Sequence, residues 1–587
     1  MTTPEAATVI VGGTAPQMLD DLRSRRDLSV LAAGETLGAA FVGVLSAALG
    51  RLPASLRTGA PVVMAATDYC VSATSRYVSR CVEAEAGGRR LRPSEAMTPE
   101  PAQLLQELAA AGDWDGPGYV LISPRAATLQ AVRWAWGTIS AGLHEAMVVC
   151  ELVRDPHGDG YRVAAVPVTA AGSARTSPAD GSGGTGGTGR TAARRPRRPS
   201  GPSGPSVVLS GTGLVTAFGD GGAVFWQNLL AGGRGLSELT RFDASRFRST
   251  TVCQTKVEAE PGQPTRRALV DRARAEALRE AGLPELPDRT LLVYAGVVPH
   301  LPQVSDAPRI DEIALEPDWD GDGSGIAPRN AVLMAHACAS GAFGLAMARE
   351  WLLCGLADTA AVIGVSALNA YDYACLDVLR ATSTTAARPF DEDRSGVTVG
   401  EGAGVIVLET AERAAARGHA PLATLSGISC RVAGQGVSRL NAHIGAACMR
   451  EALVMAGLTT VDYVHGHAPG TRQGDEAELL ALDRIGAEHG WRGVPVSSYK
   501  GAAGHLLHAS VFPGVVAAVR ALRAEVLPGT PGLRKPLDTR HVRVLRDPEP
   551  CAGIRSVMVD NFGFGGNNAA FLLTGGAAGR MKWSRDG

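Results

Sequence analysis

A low-complexity segment about a third of the way along the chain separates two regions that can each fold around a core of their own. Residues 170–206 are rich in Gly, Ser, Thr, Pro and Arg, a composition that cannot bury enough apolar surface to hold a core. We interpret the segment as a flexible linker between two folding units, residues 1–169 and 207–576, with a short tail over 577–587. The chain has 587 residues and 45% apolar content, which is enough for a sizeable core on each side of the linker.

The most informative motif is centred on Cys338, in residues 330–341. An apolar run typical of a buried strand gives way there to small residues, and then to a helical pattern over 342–353. A thiol on such a turn lies beside the N-terminus of the helix, whose partial positive charge favours thiolate over thiol. The pattern therefore predicts a nucleophilic cysteine. The alternative is a buried structural cysteine.

Four further motifs accompany this cysteine. Histidines occur in glycine-rich settings within residues 462–475 and 496–505, an acidic and glycine-rich segment covers 388–404, and a glycine loop covers 561–568. Together and in this order, the five motifs resemble those of the β-ketoacyl synthases, the decarboxylative condensing enzymes of fatty-acid and polyketide assembly. Each motif alone would be a weak signal.

The resemblance implies a catalytic role for five residues. Cys338 matches the acyl-accepting nucleophile, and the backbone N–H groups of Cys338 and Phe564 match its oxyanion hole. His467 and His505 match the two histidines that polarise the malonyl thioester and stabilise its enolate, which an imidazole can do by donating a hydrogen bond from Nε2. Lys500 matches the lysine that tunes these histidines.

Further positions carry supporting roles in the family. Glu401 and Asp475 match acidic positions that support the site, although each could simply cap a loop. Thr471 keeps one of the two hydroxyl groups that meet the phosphopantetheine arm, while Pro469 replaces the other. Phe564 also falls on the aromatic gate that moves as acyl and malonyl substrates alternate, and its glycine neighbours give that loop the freedom to move.

Two departures from the family pattern concern charge and the substrate pocket. Gly514 stands where relatives have the glutamate that pairs with the lysine, so Lys500 either lacks a counter-charge or draws it from elsewhere. The stretch over 295–338 is short and contains acidic residues that suggest a loop. This stretch usually carries elements of the substrate tunnel and the dimer contact, which leaves the chain-length pocket open to question.

Over residues 207–573 the resemblance implies the thiolase fold, in which two similar βαβαβαββ halves form a five-layer α/β/α/β/α sandwich. Enzymes of this family work as dimers, which implies a homodimer or a heterodimer with a chain-length-factor-like subunit. Their substrates arrive on an acyl carrier protein. No tightly bound cofactor is expected, because the carrier protein supplies the phosphopantetheine.

Residues 1–169 alternate short apolar runs with helical patterns, which predicts a smaller α/β domain. We predict helices over 37–49 and 129–143, and strands over 62–66 and 119–123.

Residues 116–127 of this region resemble the segment that leads to the synthase nucleophile. Ala126 stands in the place of the nucleophile, or Arg125 if the match shifts by one, and neither can accept an acyl group. We interpret the region as a truncated, nucleophile-less copy of the N-terminal half of a synthase. An unrelated α/β domain is the alternative.

Three functions fit these residues. Two histidines and a C-terminal glycine loop without cysteine favour the elongating, decarboxylating branch of the family. A non-decarboxylating acyltransferase would use the same cysteine, and a non-catalytic, chain-length-factor-like partner would use neither the cysteine nor the histidines.

A zinc site is a further alternative because of the spacing of four histidines, but a lysine and a nucleophilic thiolate fit zinc poorly, and we predict no metal. These histidines are His465, His467, His505 and His508.

Charge and composition narrow the remaining classes of function and cellular location. The formal net charge of −1 gives no reason to expect nucleic-acid binding, and no apolar run is long enough to span a membrane. The N-terminus lacks a basic-then-apolar secretion signal. Ten scattered cysteines do not form a disulfide framework, so a reducing cytoplasm fits best.

Overall fold

The computed structural model describes most of the two folding units. It covers residues 9–10, 15–24, 28–87, 90–112, 114–123, 126–158, 160–170, 205–258, 265–298, 313, 330–434 and 441–575. Several predicted features lie outside the described residues, namely Arg125, residues 171–204 of the linker, the acidic stretch within 314–329 and the tail over 577–587.

The N-terminal region, residues 9–169, forms one mixed sheet covered by helices. Its elements are β1 Val9–Ile10, α1 Ala15–Ser24, β2 Ser29–Ala32, α2 Thr36–Gly50, α3 Ala54–Arg57, β3 Val62–Ala65, α4 Thr67–Glu85, α5 Pro93–Ala96, α6 Ala102–Ala110, β4 Gly118–Ile122, α7 Ala127–Ser140, β5 Ala146–Arg154 and β6 Tyr161–Thr169. Strands β4, β3 and β5 are parallel in that order, and β6 and β2 continue the sheet antiparallel.

Both faces of this sheet are apolar and buried. Val62 and Met64 of β3 pack in one cluster with α2, whereas Val63 between them packs in another cluster with α7. Successive side chains of a strand point to opposite faces, so the two helices cover opposite sides of the sheet.

The first synthase half follows the linker and repeats this strand order. Its elements are β7 Val207–Thr216, β8 Gly219–Asp220, α8 Gly222–Leu230, β9 Ser237–Glu238, β10 Thr251–Val252, α9 Thr265–Ala281, β11 Thr290–Ala295, β12 Ala331–Met334, α10 Ser340–Leu353, β13 Thr359–Ser366, α11 Ala370–Val378, β14 Gly402–Thr410 and α12 Ala411–Ala416. Strands β12, β11 and β13 are parallel, and β14 and β7 continue antiparallel.

The second synthase half has the same order once more. Its elements are β15 Ala423–Val432, α13 Ala442–Ala456, β16 Tyr463–His465, α14 Arg472–His489, β17 Val494–Ser497, α15 Lys500–Ala503, a 3₁₀ turn at Leu507–Ala509, α16 Val511–Ala524, β18 Val526–Leu527, β19 Val542–Val544, β20 Glu549–Pro550, β21 Ser556–Gly563 and β22 Asn567–Thr574. Strands β17, β16 and β21 are parallel, and β22 and β15 continue antiparallel.

Helix packing gives the two synthase halves five layers. Helices α10 and α16 contact the sheets of both halves and form the central layer. Helix α9 covers the outer face of the first sheet, and α13 with α14 covers the outer face of the second. The predicted sandwich of two similar halves is therefore present.

The N-terminal region joins the synthase through strands β4 and β12. These strands pair antiparallel, with Leu333 opposite Ile122 and Met334 opposite Leu121. This pairing relates Leu333 to Leu121 and Met334 to Ile122 by an approximate two-fold axis. Four residues beyond the paired ends of β12 and β4 lie Cys338 and Ala126, so Ala126 occupies the position equivalent to the cysteine.

Hydrogen bonds reinforce this junction. The N–H of Val120 donates to Nε2 of His336 at 2.9 Å, and the Nδ1 of this histidine donates to Oδ1 of Asn567 at 2.7 Å. Farther along the interface, Trp134 Nε1 donates to Glu350 at 2.7 Å, and His144 Nε2 lies 2.8 Å from the same carboxylate. Residues from all three repeats therefore meet here.

The secondary structure predicted for these segments is confirmed with small shifts of the ends. The predicted helices over 37–49, 129–143 and 342–353 correspond to α2, α7 and α10, and the predicted strands over 62–66 and 119–123 correspond to β3 and β4.

We predict that Glu350→Gln weakens the protein in a pH-dependent way. Burial alone would raise the pKa of Glu350, but His144 and Trp134 lower it, and Glu350 in turn raises the pKa of His144 against the effect of burial. The stabilisation is greatest above the unfolded pKa of Glu and below that of His. It is lost as the pH falls through the folded pKa of Glu350 or rises through that of His144. We expect a loss of about 2 kcal/mol at pH 6 and a smaller loss at pH 9.

Urea unfolding at the two pH values measures this loss. Glu83→Gln is the matched control, because it breaks an exposed ion pair with Arg80 and should cost less than about 0.5 kcal/mol. An equal loss at pH 6 and pH 9 for Glu350→Gln would contradict the assignment.

Candidate active site

Cys338 lies in the turn between β12 and α10, two residues before the helix begins. Ala337, directly before it, has a φ of 47°, in the left-handed region that residues with a Cβ seldom adopt. The turn is closed by a hydrogen bond of 3.0 Å from Ala339 N–H to the carbonyl of His336. This tight turn holds the thiol in a fixed place.

The predicted oxyanion donors face the thiol. The backbone N–H groups of Cys338 and Phe564 both hydrogen-bond to the sulfur. Phe564 lies in the turn between β21 and β22, and Gly565 and Gly566 after it have φ values of 74° and 72°. A Cβ on Gly566 would lie 2.2 Å from the carbonyl oxygen of Ala433, so the turn needs glycine there for space as well as for conformation.

Burial opposes ionisation of the thiol. It raises the pKa of Cys338 to about 12, and the charge of Glu100 adds to this effect, while Lys500 and the two N–H donors oppose it. The sequence predicted that the helix N-terminus would favour thiolate. Burial acts in the opposite direction, because desolvation disfavours the charged form.

His467 lies on the loop after β16, and three side chains from other segments contact it. Its backbone N–H donates to Glu478 at 2.6 Å. Its Nδ1 lies 3.3 Å from Lys500 Nζ and 3.5 Å from Asn561 Nδ2. Both neighbours are donors, so Nδ1 is the acceptor and the ring proton is assigned to Nε2.

His505 has the same tautomer for a different reason. Its Nδ1 accepts the backbone N–H of Leu507 at 2.9 Å, which again leaves the proton on Nε2. The centroids of the His467 and His505 rings are 5.5 Å apart, and the rings are nearly perpendicular. Burial, followed by the charge of Lys500, lowers the pKa of both far below the usual value. The site thus holds two neutral imidazoles, each able to donate from Nε2.

Lys500 is the electrostatic centre of the site and is only 2% exposed. It donates to the carbonyl oxygen of His467 and lowers the pKa of Cys338, His467 and His505. These four side chains therefore share one neighbourhood. Burial lowers the pKa of Lys500 itself, and Glu478 is the strongest of the charges that oppose the shift.

Position 514 is a glycine, where relatives have the glutamate that pairs with the lysine, and other carboxylates take over that charge. A side chain at position 514 would begin 3.2 Å from the ring carbon Cδ2 of His465, on a helix that faces His465. The counter-charge of Lys500 comes instead from Glu478, with Asp475 as the second acidic contributor. Of the two possibilities left open by the sequence, the lysine draws its counter-charge from elsewhere.

Asp475 and Thr471 organise the loop that follows His467. The Asp475 carboxylate accepts the backbone N–H groups of Phe390 at 2.8 Å, and of Gly470 and Thr471 at 3.1 Å each. Burial raises its pKa to about 6. Thr471 is the N-cap residue of α14. Both residues therefore fix the loop between His467 and α14.

Glu401 makes its hydrogen bonds with residues from an earlier part of the chain. Its carboxylate lies 2.8 Å from Arg241 Nη2 and accepts the hydroxyl of Thr255 at 2.7 Å. The neighbouring Gly400 donates its N–H to the carbonyl of His505 at 2.9 Å. Glu401 therefore anchors the segment before β14, which pairs with the His505 loop.

Sequence analysis missed several residues of this network. Ser510 donates its hydroxyl to the Cys338 carbonyl at 2.9 Å, and Asn561 donates to that hydroxyl at 3.1 Å. Glu478 was also missed, although it lies three residues after Asp475 on the same helix face, which is a usable signal. Glu100, from the N-terminal region, gave no signal at all.

The family assignment follows from comparison with known proteins. The family models for the N-terminal and C-terminal domains of β-ketoacyl synthases match residues 330–414 and 422–534. A protein of Streptomyces halstedii named as a polyketide β-ketoacyl synthase 1 is 32% identical over 430 residues, which cover 63% of this chain and 98% of that protein. The chain belongs to the β-ketoacyl synthase family.

Two other members show how far the likeness extends. The 3-oxoacyl-[acyl-carrier-protein] synthase 2 of Rhizobium meliloti (strain 1021) is 28% identical, over 62% of this chain and 98% of its own length. The crystal structure of a β-ketoacyl synthase from Burkholderia phymatum STM815 superposes with a TM-score of 0.56 at 25% identity, and covers 63% of this chain and 99% of that one. The thiolase fold of this synthase is thereby confirmed.

A cavity opens at the cysteine of the synthase and is lined by both folding units. The synthase contributes Cys338 and Phe564 to the lining. The N-terminal region contributes Tyr77, Met97 and Glu100. The N-terminal region therefore forms part of the wall of the cavity at Cys338.

Three further features concern metal ions, thiols and membrane contact. Within the described ranges, no cluster of three or more His, Cys, Asp or Glu side chains is arranged to hold a metal ion. The ten cysteines are free thiols. None of the helices in the described part of the chain combines the length and apolarity needed to cross a membrane.

We predict that Lys500→Met slows alkylation of Cys338. The lysine lowers the pKa of the thiol, so its removal raises that pKa and reduces the thiolate fraction. The rate with iodoacetamide at pH 7, followed by peptide mass spectrometry, should fall by roughly threefold or more. Lys535→Met is the control, since that lysine is exposed and paired with Asp393. Equal rates for Lys500→Met and the wild type would refute the electrostatic role.

Proposed function

We propose that this protein is a β-ketoacyl-ACP synthase that condenses a cysteine-bound acyl chain with malonyl-ACP and releases carbon dioxide. One observation carries the proposal. Two neutral imidazoles, His467 and His505, hold their protons on Nε2 beside a cysteine whose sulfur already meets two N–H donors. A non-decarboxylating acyl transfer would need the cysteine and the donors, but not this pair.

In the first step Cys338 receives the acyl group. Its sulfur attacks the thioester carbonyl, a new carbon–sulfur bond forms, and the carrier thiol leaves with the proton of the cysteine. The N–H groups of Cys338 and Phe564 stabilise the oxyanion that develops on the carbonyl oxygen. The raised pKa of Cys338 keeps the thiol protonated until a thioester arrives.

In the second step malonyl thioester replaces the first carrier. The bond between the α-carbon and the carboxylate breaks, carbon dioxide leaves, and the electron pair forms an enolate. Nε2–H of His467 and Nε2–H of His505 donate to its oxygen, and the α-carbon attacks the acyl group on Cys338. The β-ketoacyl product remains on the carrier, and the released thiolate takes up a proton.

The remaining predicted residues support these steps. We assign the Thr471 hydroxyl to the phosphopantetheine arm and the Phe564 ring to the gate. Lys500 tunes the histidines, Asp475 holds the loop before α14, and Glu401 anchors the segment beside His505.

The substrate carrier and setting follow from related proteins and from the thiols. One relative is named as a 3-oxoacyl-[acyl-carrier-protein] synthase and another as a polyketide β-ketoacyl synthase. These names support an acyl carrier protein as the partner, in type II polyketide or fatty-acid assembly. The ten free thiols support a cytoplasmic location.

We predict that His467→Ala and His505→Ala each abolish most of the decarboxylation. Loss of one preorganised donor should slow the release of labelled carbon dioxide from carboxyl-labelled malonyl-ACP by about 10²–10³-fold. Cys338→Ala should form no acyl adduct in intact-mass spectra.

His419→Ala is the control, because that histidine is bonded to Ser210 away from the site. Acyl transfer to an added amine without carbon dioxide release would favour the acyltransferase. The absence of any adduct on the wild-type protein would favour the non-catalytic partner.

We further propose that residues 1–169 act in cis as the silent half of the synthase. The strand order β4-β3-β5-β6-β2 repeats that of the first synthase half, and Ala126 stands where Cys338 would be. Strand β4 occupies the free edge of β12, an edge that would otherwise invite pairing with another chain.

Light scattering tests this second proposal against a dimer. We expect the full chain to have the mass of one copy, 60.6 kDa, because its edge strand is already paired. A mass of two copies would contradict this proposal and support the homodimer expected from the family. A stable complex with a separate chain-length-factor-like subunit would contradict it and support the heterodimer.

A further inference from the structure

Glu100 reaches from the N-terminal region into the active site of the synthase. It lies in the turn before α6, and its carboxylate is 13% exposed. One oxygen accepts the backbone N–H of Ala337 at 3.0 Å, and the other lies 3.0 Å from Nε2 of His508. One carboxylate therefore connects the nucleophile loop to the loop that follows His505.

The hydrogen bond to Ala337 meets a specific need of the turn. Ala337, with a φ of 47°, lies beyond the end of β12 and takes no part in its strand pairing, and its N–H finds an acceptor in Glu100. A buried N–H without an acceptor costs about 1–3 kcal/mol. The Glu100 carboxylate removes that cost and holds the left-handed residue directly before the cysteine.

The second partner of Glu100 is a histidine whose protonated form the carboxylate favours. Burial alone would lower the pKa of His508, but the hydrogen bond and charge of Glu100, together with Asp372, raise it. Both residues line the cavity at Cys338.

Several charged or titratable groups surround the thiol. Glu100 faces it from the N-terminal region, Lys500 from α15, Tyr499 from the residue before that helix and Cys375 from α11. Among the acidic residues of the described chain, Glu100 is the one whose charge raises the pKa of Cys338.

We propose that Glu100 is a positioning residue for Cys338, supplied by the silent half: one oxygen holds the Ala337 N–H directly before the nucleophile, and the carboxylate places a negative charge against the nucleophile loop. The N-terminal region then shapes the reactivity of the nucleophile as well as the wall of the pocket. The charge effect stands without any condensing activity, whereas the effect on acylation rests on the proposed function.

Two neutral substitutions separate the two effects of Glu100. Glu100→Gln removes the charge but keeps an oxygen for the Ala337 N–H, and Glu100→Ala removes both. With iodoacetamide at pH 8, Cys338 should react roughly three to ten times faster in both variants than in the wild type. With hexanoyl-N-acetylcysteamine, acylation of Cys338 should fall about tenfold in Glu100→Ala, and Gln should restore it to the wild-type rate or above.

Glu83→Gln, which removes an exposed carboxylate of α4, should change neither rate. The proposal is wrong if Glu100→Gln leaves the iodoacetamide rate at the wild-type value, because the substitution is isosteric and alters only charge. It is also wrong if Gln loses acylation as fully as Ala does. If the wild-type protein takes no acyl group at all, the proposed function fails, and the iodoacetamide rates alone decide for or against Glu100.

Discussion

The pairing of β4 with β12 is the contact on which the rest of the arrangement depends. Strand β12 is the last element before Cys338, so whatever fixes its edge also fixes the nucleophile. Here the neighbouring strand comes from the same chain, and the N–H of Val120 is accepted by His336 just beyond the paired residues. The interface brings α7 against α10, and the turn before α6 against the cysteine loop. A linker of low complexity suffices, because the specificity lies in the strand register.

A second constraint is the charge buried around Lys500. Removing a cation from water costs several kcal/mol. Burial accordingly lowers the pKa of Lys500, and the charges of Glu478 and Asp475 oppose that shift. Its charge then has two uses. It adds to the effect of burial in lowering the pKa of His467 and His505, and it partly offsets the effect of burial on the pKa of Cys338.

The fold predicted from the sequence is confirmed, and the four predicted central residues lie in one neighbourhood, for a physical reason. Cys338, His467, Lys500 and His505 each sit in a local motif whose glycines and strand runs are needed to build the turn that presents the side chain. Partners that act from a distance carry no such local pattern. Ser510 and Asn561 reach the site through single hydrogen bonds, and Glu100 comes from 238 positions before the cysteine. The effect of burial on the pKa of the thiol could not be predicted either, since a helix end is visible in a sequence and the depth of burial is not.

The structure also shows what a nucleophile in the N-terminal region would lack. In the synthase, Cys338 comes from the first half, whereas His467, Lys500 and His505 all come from the second half, in the segments after β16 and β17. The described N-terminal region is a single repeat, so it has no second half to face it with two histidines and a lysine. A cysteine placed at Ala126 would have neither the imidazole donors nor the lysine. What a first half can still provide is an edge strand, a pocket wall and single side chains such as Glu100, and these are the contributions that the fold shows.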